Sequence, residues 1–331
     1  MPRSTTASSN RKRKPKSNLS IAIIGSGRLG TALGLALSRA GHRVPLVASL
    51  HSAHARRAAK LIGRETKPAA LRHLTNPAPL KNLNNKEKID ALTQADLIVI
   101  AISDDAIEGL TQQLAAVFGT RSKGDRGRAR RRVAMHTSGA LAASVLEPLK
   151  REGFAVGSIH PLISISDPAT GADWLARAYF SLEGNSQAVM MGRQLVRSLG
   201  GHSFQIRPEM KPLYHAAALM ASPNLTALFD LALEMLGRCG LSATRARHVL
   251  LPLIESTLAN LVRQDPRSAL TGTFKRGDLA TAIKHIKAIK GEKLIEALQT
   301  YVALGNRSLS LAKPSRHEQA MRRLLSGATR N

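Results

Sequence analysis

The run Gly25-Ser26-Gly27-Arg28-Leu29-Gly30 sets glycines at its first, third and sixth places. That spacing suits a turn that cradles a pyrophosphate. The first glycine allows the tight turn, the second removes the Cβ that would block the anion, and the third lets the next helix approach the strand. The anion would rest on the free N–H groups at the helix start. The run follows a short β-prone stretch, 19–24, and opens a helical pattern of Leu29, Leu33, Ala36, Leu37 and Ala40 stopped by Gly41. This strand–turn–helix context is what gives the motif its meaning.

The end of the next strand, expected over 43–48, reports on the nucleotide. An acid there would accept from a ribose 2′-hydroxyl, yet none occurs between Gly30 and Glu65. Ser49 is placed to donate to a 2′-phosphate, with His51, Arg56 or Arg57 to neutralise it. The expected cofactor is therefore NADP, preferred over NAD. The expected cofactor-binding set is Gly25, Gly27, Arg28, Leu29, Gly30, Ser49, Arg56, Ile102 and Ser103.

Three further polar clusters stand in apolar chain. His136-Thr137-Ser138-Gly139 follows one short strand and His160-Pro161 follows another. Ligands of open parallel sheets gather beyond the carboxyl ends of strands, so His136, Ser138 and His160 are expected to hold substrate. Either histidine could instead fix a strand end by bonding backbone. Lys211 and His215 are four apart at a helix start, and an amine and an imidazole on one face could bind and protonate an anionic carbonyl compound. A histidine suits such proton exchange untuned, whereas Lys211 needs its pKa lowered by burial. Thr271 and Arg276, ahead of a helix that Asp278 should cap, complete the expected substrate set. No cluster has metal-ligand spacing, and Thr137-Ser138-Gly139 lacks the first glycine of a hydrolase elbow.

The elements that must position these groups divide the chain. Strand, turn, helix, strand and helix over 19–61 form a βαβ unit. Pro45 is unwelcome inside a central strand. Residues 63–95, with Pro68, Pro77 and Pro79, read as connector with one short strand. The stretch 96–102 is apolar throughout, as a strand covered on both faces should be. A helix follows to about Phe118, then short strands at 133–135 and 155–159 around a helix at 141–150. From Ser186 onward the spacing is helical, with one plausible strand at 203–206. The expected fold is α/β plus all-α: a Rossmann-like parallel sheet over 19–185, a helical domain over 186–305, a basic tail 1–18 and a basic extension 306–331.

Composition narrows the class. Of the net charge of +27, residues 1–18, 120–132 and 306–331 supply 17. Tails and a Gly/Arg-rich insert are solvated places to carry charge, so no dedicated nucleic-acid partner is expected. One cysteine, Cys239, excludes an intrachain disulfide. No run reaches the about 20 consecutive apolar residues of a spanning helix. The expected setting is soluble and cytoplasmic.

The ordered markers are the glycine turn, 96–102 with Ser103-Asp104-Asp105-Ala106-Ile107, His136-Thr137-Ser138-Gly139-Ala140, His160-Pro161-Leu162, Tyr214-His215-Ala216-Ala217-Ala218, Leu270-Thr271-Gly272, and Arg276-Gly277-Asp278 with His285. In these the chain resembles the bacterial family that joins a Rossmann-like domain to a helical domain of unknown function, DUF2520. The resemblance covers about residues 19–305. It implies an oxidoreductase related in shape to ketopantoate reductase, pyrroline-carboxylate reductase, prephenate dehydrogenase and the β-hydroxyacid dehydrogenases. It also implies a homodimer formed through the helical domain, and a lysine acid or base early in that domain, for which Lys211 is the matching position. Two departures stand out: Pro223 displaces Asn224 by one place, and Thr273 replaces a proline. The reading is a NADP-dependent oxidoreductase for a small anionic carbonyl, imine or hydroxy substrate held between the domains. Lys211 or His215 would exchange the proton. The alternative is a dinucleotide-binding sensor or scaffold without redox chemistry.

Overall fold

A computed structural model describes residues 18–75, 83–121 and 132–329. The basic tail and most of the basic insert expected at 120–132 lie outside the described residues. The described chain forms two compact units that divide after Ala218.

The first unit begins with β1 (Ser20–Ile24), α1 (Arg28–Arg39), β2 (Arg43–Ser49), α2 (Ser52–Ile62) and β3 (Lys67–Ala70). It continues with α3 (Arg72–Thr75), α4 (Leu83–Thr93), β4 (Leu97–Ile100), α5 (Asp104–Arg121) and β5 (Val133–His136). A 3-10 turn at Ala143–Leu146 runs into α6 (Glu147–Arg151). Then come β6 (Ala155–Pro161), α7 (Pro168–Leu175), β7 (Tyr179–Gly184), α8 (Ser186–Leu199), β8 (His202–Gln205) and α9 (Lys211–Ala221).

The strands make one sheet in the order β3-β2-β1-β4-β5-β6-β7-β8. It is parallel from β3 through β6; β7 runs antiparallel to β6, and β8 is parallel to β7. Side chains alternate across it. Ile21, Ile23, Val99, Met135, Phe180 and Leu182 face α1, α2, α7 and α8 on one side. Ala22, Ile24, Ile98, Ile100, Ala134 and Val156 face Leu92, Leu114, Leu146 and Leu149 on the other. All four residues of β4 are buried, as its unbroken apolar run predicts.

Pro45 is tolerated in the interior strand β2 because the register slips there. Ser20 pairs with Arg43 but Ala22 with Leu46, so the strand bulges at the proline, which has no N–H to give. Pro68 sits in the edge strand β3, where a missing donor costs less.

The expected boundary at 185/186 moves toward the C-terminus. Helix α8 forms over the expected residues, but Ala188, Val189, Leu195 and Val196 enter the sheet's core, and β8 extends the sheet. Its helical period was read correctly and its partner was not. Helix α4, strand β7 and helix α7 also stand where no element was expected.

The second unit holds α10 (Pro223–Arg238), α11 (Ala243–Arg263), α12 (Pro266–Ala269), α13 (Gly272–Arg276), α14 (Leu279–Gly291), α15 (Ile295–Leu311) and α16 (Glu318–Ala328). Its core joins Ala282, Ile286, Val302, Leu309, Met321 and Leu325. Residues 306–331 are therefore not a mere extension: α16 turns its apolar side, Met321, Leu325 and Ala328, into that core. Asp278 caps α14 as expected, its carboxylate accepting from Thr281 N at 3.0 Å.

By length and composition, Pro208–Arg238 is apolar and long enough to cross a membrane. It is not one uninterrupted helix: the chain breaks at Ser222, and Pro223 starts α10.

Candidate active site

Each glycine of the turn answers to a different constraint. Gly25 has φ +116°, and a Cβ there would meet Ala101 O at 2.0 Å. A Cβ on Gly30 would meet Gly25 O at 2.0 Å, so α1 can begin this close to β1 only without one. Gly27 differs. It is exposed, and nothing in the protein lies within 4 Å of where its Cβ would be. The constraint on Gly27 is therefore not internal packing; its bare backbone forms a cradle that a Cβ would fill.

Gly27 is also the N-cap of α1 and offers no side chain to the helix. The first bond, from Thr31 N to Gly27 O, leaves the N–H groups of Arg28, Leu29 and Gly30 at the helix start, ready for an anion.

Beside the turn lies a cleft of about 770 Å³, lined by Gly25, Ser26 and Gly27 from the turn and by Ala101, Ile102 and Ser103 at the end of β4. At the end of β2 it is lined by Ser49, His51 and His54. The expected contributions of Ser49, Ile102 and Ser103 are thus brought together with the glycines. Arg56 is not: it is exposed on α2 and does not line the cleft, and Arg57 is exposed beside it. Helical spacing turns Arg56 to the side opposite His54, and the guanidinium-bearing residue that lines the cleft is Arg72, at the start of α3. Sequence reading missed it: one short strand is expected within 63–95, but its position, and so the place of Arg72, is not fixed by spacing.

The cleft meets a second polar cluster at the first turn of α5. Ser103 lines the cleft, while the next residue, Asp104, accepts from Ser138 Oγ at 2.7 Å. Ser138 Oγ also accepts from Ala140 N at 3.1 Å and Leu141 N at 3.0 Å. One donor and two acceptor sites are then all used. Ser138, expected to bind substrate, is buried and satisfied; it shapes the turn after β5.

His136 is held in a similar way. It is fully buried, its Nδ1 accepts from Ser138 N at 3.2 Å, and its Nε2 therefore carries the proton that it gives to Ala142 O at 3.2 Å. Burial and the nearby Lys211 charge hold its pKa down at about 4. Both nitrogens are engaged by backbone, which is the alternative task of fixing a strand end.

Lys211 closes over this turn. Its side chain is fully buried, and Nζ donates to Ser138 O at 3.1 Å and to Ser158 Oγ at 2.9 Å. Burial lowers its pKa, while Glu183 and Asp104 oppose the shift. One turn on, the half-buried His215 ring stands edge-on to His160 at 5.7 Å between centroids. The two rings leave no room on Gly139: a Cβ there would meet His215 Cδ2 at 2.6 Å and His160 Nε2 at 3.0 Å. His160 Nδ1 lies 2.7 Å from Tyr214 Oη. Burial, then the His215 and Lys211 charges, depress the His160 pKa to about 4, so the ring is neutral near pH 7.

The antiparallel register of β6 and β7 makes a polar patch under α9. Ser158 pairs with Glu183 and His160 with Ser181. Glu183 and Ser181 were missed, although Phe180 and Leu182 alternating with Ser181 and Glu183 is a period-two signal. Thr271 and Arg276 belong to the second unit, both exposed, the first at the N-cap of α13 and the second in its last turn. Asn224 is exposed and donates to Met220 Sδ at 3.1 Å. Among the described residues no group of His, Cys, Asp or Glu could hold a metal ion.

Residues 4–161 match a family described as Rossmann-like domain, and residues 178–308 match DUF2520, a domain of unknown function. Among curated proteins no relative matches the chain. Among solved structures, a candidate NADP oxidoreductase of Bacteroides fragilis is 21% identical with a TM-score of 0.65, the match covering 88% of this chain and 98% of that one. The protein TM1727 of Thermotoga maritima is also 21% identical, with a TM-score of 0.62 over 88% and 98% of the two chains. A 1-pyrroline-5-carboxylate reductase of Streptococcus pyogenes is 15% identical, with a TM-score of 0.54 over 94% and 98%. These likenesses are of fold. Cradle, cleft and lysine cluster all sit on the carboxyl edge of a doubly wound sheet, and with the two domain matches in tandem the chain belongs to the family that joins a Rossmann-like domain to DUF2520.

Proposed function

We propose that the protein is a NADP-dependent oxidoreductase acting on a small, anionic carbonyl, imine or hydroxy compound, with Lys211 exchanging the proton. The observation that carries this reading is the buried Lys211 ammonium, held by Ser138 O and Ser158 Oγ, with Ser138 Oγ bonded to Asp104, the residue after the cleft-lining Ser103.

The cofactor fits the residues present. The bare cradle at Gly27 and the N-terminus of α1 would hold its pyrophosphate. Ser49, His51, His54 and Arg72 would hold the 2′-phosphate of NADP, and no acid lines that part of the cleft. When bound, the nicotinamide supplies or accepts the hydride.

The chain's own residues then have separable tasks. Lys211 gives a proton to the substrate oxygen or nitrogen as the hydride reaches the adjacent carbon, and takes it back in the reverse direction. Its lowered pKa brings it toward the range where a general acid works near neutral pH. His160 and His215, half-buried where Lys211 is enclosed, orient the substrate, and the lysine charge favours an anion. The names of the Bacteroides and Streptococcus structures agree with redox chemistry on a small molecule.

The expected homodimer remains part of this proposal. Val249, Leu253 and Val262 of α11 are 53%, 62% and 86% exposed, an apolar surface that a second copy would cover. So does the cytoplasmic setting, which fits a NADP-linked enzyme with one free cysteine.

The test is transfer of deuterium from C4-labelled NADPH to a panel of small keto and imino acids. Transfer from one face only, falling about 10²- to 10⁴-fold in Lys211→Ala while NADPH still binds, is the expected result. Undiminished turnover in Lys211→Ala overturns the role of the lysine. No transfer from either face to any substrate overturns the oxidoreductase reading.

A further inference from the structure

The face of the sheet that continues from Val156 holds an acid that the mechanism above leaves unused. Glu183 on β7 is 6% exposed, and Ser158, opposite it on β6, is fully buried. Glu183 Oε2 accepts from Ala143 N at 2.7 Å and from Ser158 Oγ at 3.5 Å. Ser158 Oγ is in turn the acceptor of Lys211 Nζ. Buried carboxylates and buried ammonium groups persist only where a partner offsets their lost hydration. Here the two charges are joined through one hydroxyl.

The groups facing Lys211 are few. Asp104 approaches from α5, His136 from β5, His160 from β6 and Glu183 from β7. The histidines carry no negative charge, and the Asp104 carboxylate already holds Ser138 Oγ at an exposed position. Glu183 is thus the enclosed counter-charge. It also accepts from Ala143 N, at the end of the turn whose other end, Ser138 O, accepts a hydrogen bond from Lys211 Nζ.

We propose that Glu183 is the positioning residue of this site: through Ser158 it keeps Lys211 protonated, and through Ala143 N–H it fixes the 138–143 turn on which the lysine is seated. The catalytic meaning of this rests on the assignment of Lys211 made above, while the coupling of the three side chains does not. Glu183→Gln keeps an acceptor for Ala143 N but removes the charge. Glu183→Asp keeps the charge on a shorter stem. Ser158→Ala removes only the bridge.

The test is a pH titration of protein labelled with ¹³C at lysine Cε, with the Lys211 resonance assigned by its absence in Lys211→Ala. The Lys211 midpoint should fall by about one pH unit or more in Glu183→Gln, stay near the wild-type value in Glu183→Asp, and fall by less in Ser158→Ala. NADPH affinity should be unchanged in all three. In turnover, the alkaline limb of the reductive reaction should move to lower pH in Glu183→Gln, because the proton leaves the lysine sooner. An unchanged Lys211 midpoint in folded Glu183→Gln overturns the proposal. Should that variant fail to fold, an unchanged midpoint in Ser158→Ala overturns it equally. If Lys211→Ala keeps full turnover, the catalytic reading fails, yet the titration still decides whether Glu183 governs the lysine.

Discussion

Lys211 Nζ and Ser158 Oγ lie 2.9 Å apart, and that contact ties the first turn of α9 to the middle of β6. It fixes the only fully buried lysine among the described residues over a turn that the chain builds from His136 and Ser138. Ser103 lines the cleft of the glycine turn, and the next residue, Asp104, accepts from Ser138 of the lysine cluster.

The glycines should separate binding from folding. Gly27→Ala is expected to fold within about 1 kcal/mol of wild-type stability, since its Cβ meets nothing in the protein and alanine is only the poorer N-cap, and to lose NADPH binding at least about tenfold, or about 1.4 kcal/mol. Gly30→Ala would force a Cβ onto Gly25 O and should lower unfolding free energy by about 1–3 kcal/mol. Urea unfolding and NADPH titration of the two variants check this pair.

Arg72, not Arg56, should set the preference for the phosphorylated nucleotide. Arg72→Ala is expected to weaken NADPH by about 1.5–3 kcal/mol, the range of a hydrogen bond to a charged group, with NADH little changed. Arg56→Ala should alter neither, because Arg56 does not line the cleft. Calorimetric titration of both nucleotides against both variants is the measurement.

Acid should destabilise the sheet unit in a defined window. His136 titrates at about 4 in the folded chain against an ordinary 6.5, so between these values the unfolded chain binds the extra proton. Stability is therefore complete above about pH 6.5 and falls as pH drops toward 4, by about 3 kcal/mol for this ring. His160, lowered to about 4 as well, adds to the same slope. Urea midpoints measured from pH 7.5 to 4 should show the fall, and His136→Gln should flatten it even though it lowers the plateau.

How much of this was legible in the sequence differs between the two clusters. The glycine turn could be read because its constraints are local: Gly25, Gly27 and Gly30 act within one turn of chain. Strand β4 could be read from burial on both faces, and α8, α11 and α14 from helical period. Glu183 and Arg72 could not be placed by spacing alone. Glu183 acquires its partner from an antiparallel register with β6, 25 residues earlier in the chain. Arg72 follows an edge strand, β3, whose pairing with β2 is not readable from the spacing of the connector. For the same reason spacing places His136 and Ser138 at a strand end but leaves their task open between substrate and turn. Whether a polar side chain at a strand end faces a ligand or its own turn depends on backbone N–H groups that the sequence does not position.

The central claim is that the glycine cradle and its cleft serve NADP. Its most direct test is a titration of the purified protein with NADPH and with NADH, following nicotinamide fluorescence, with Gly27→Ala as the control. Saturable NADPH binding is expected, at least about tenfold tighter than NADH and weakened at least about tenfold in Gly27→Ala. Equal affinity for the two nucleotides, or binding that Gly27→Ala leaves intact, would contradict it.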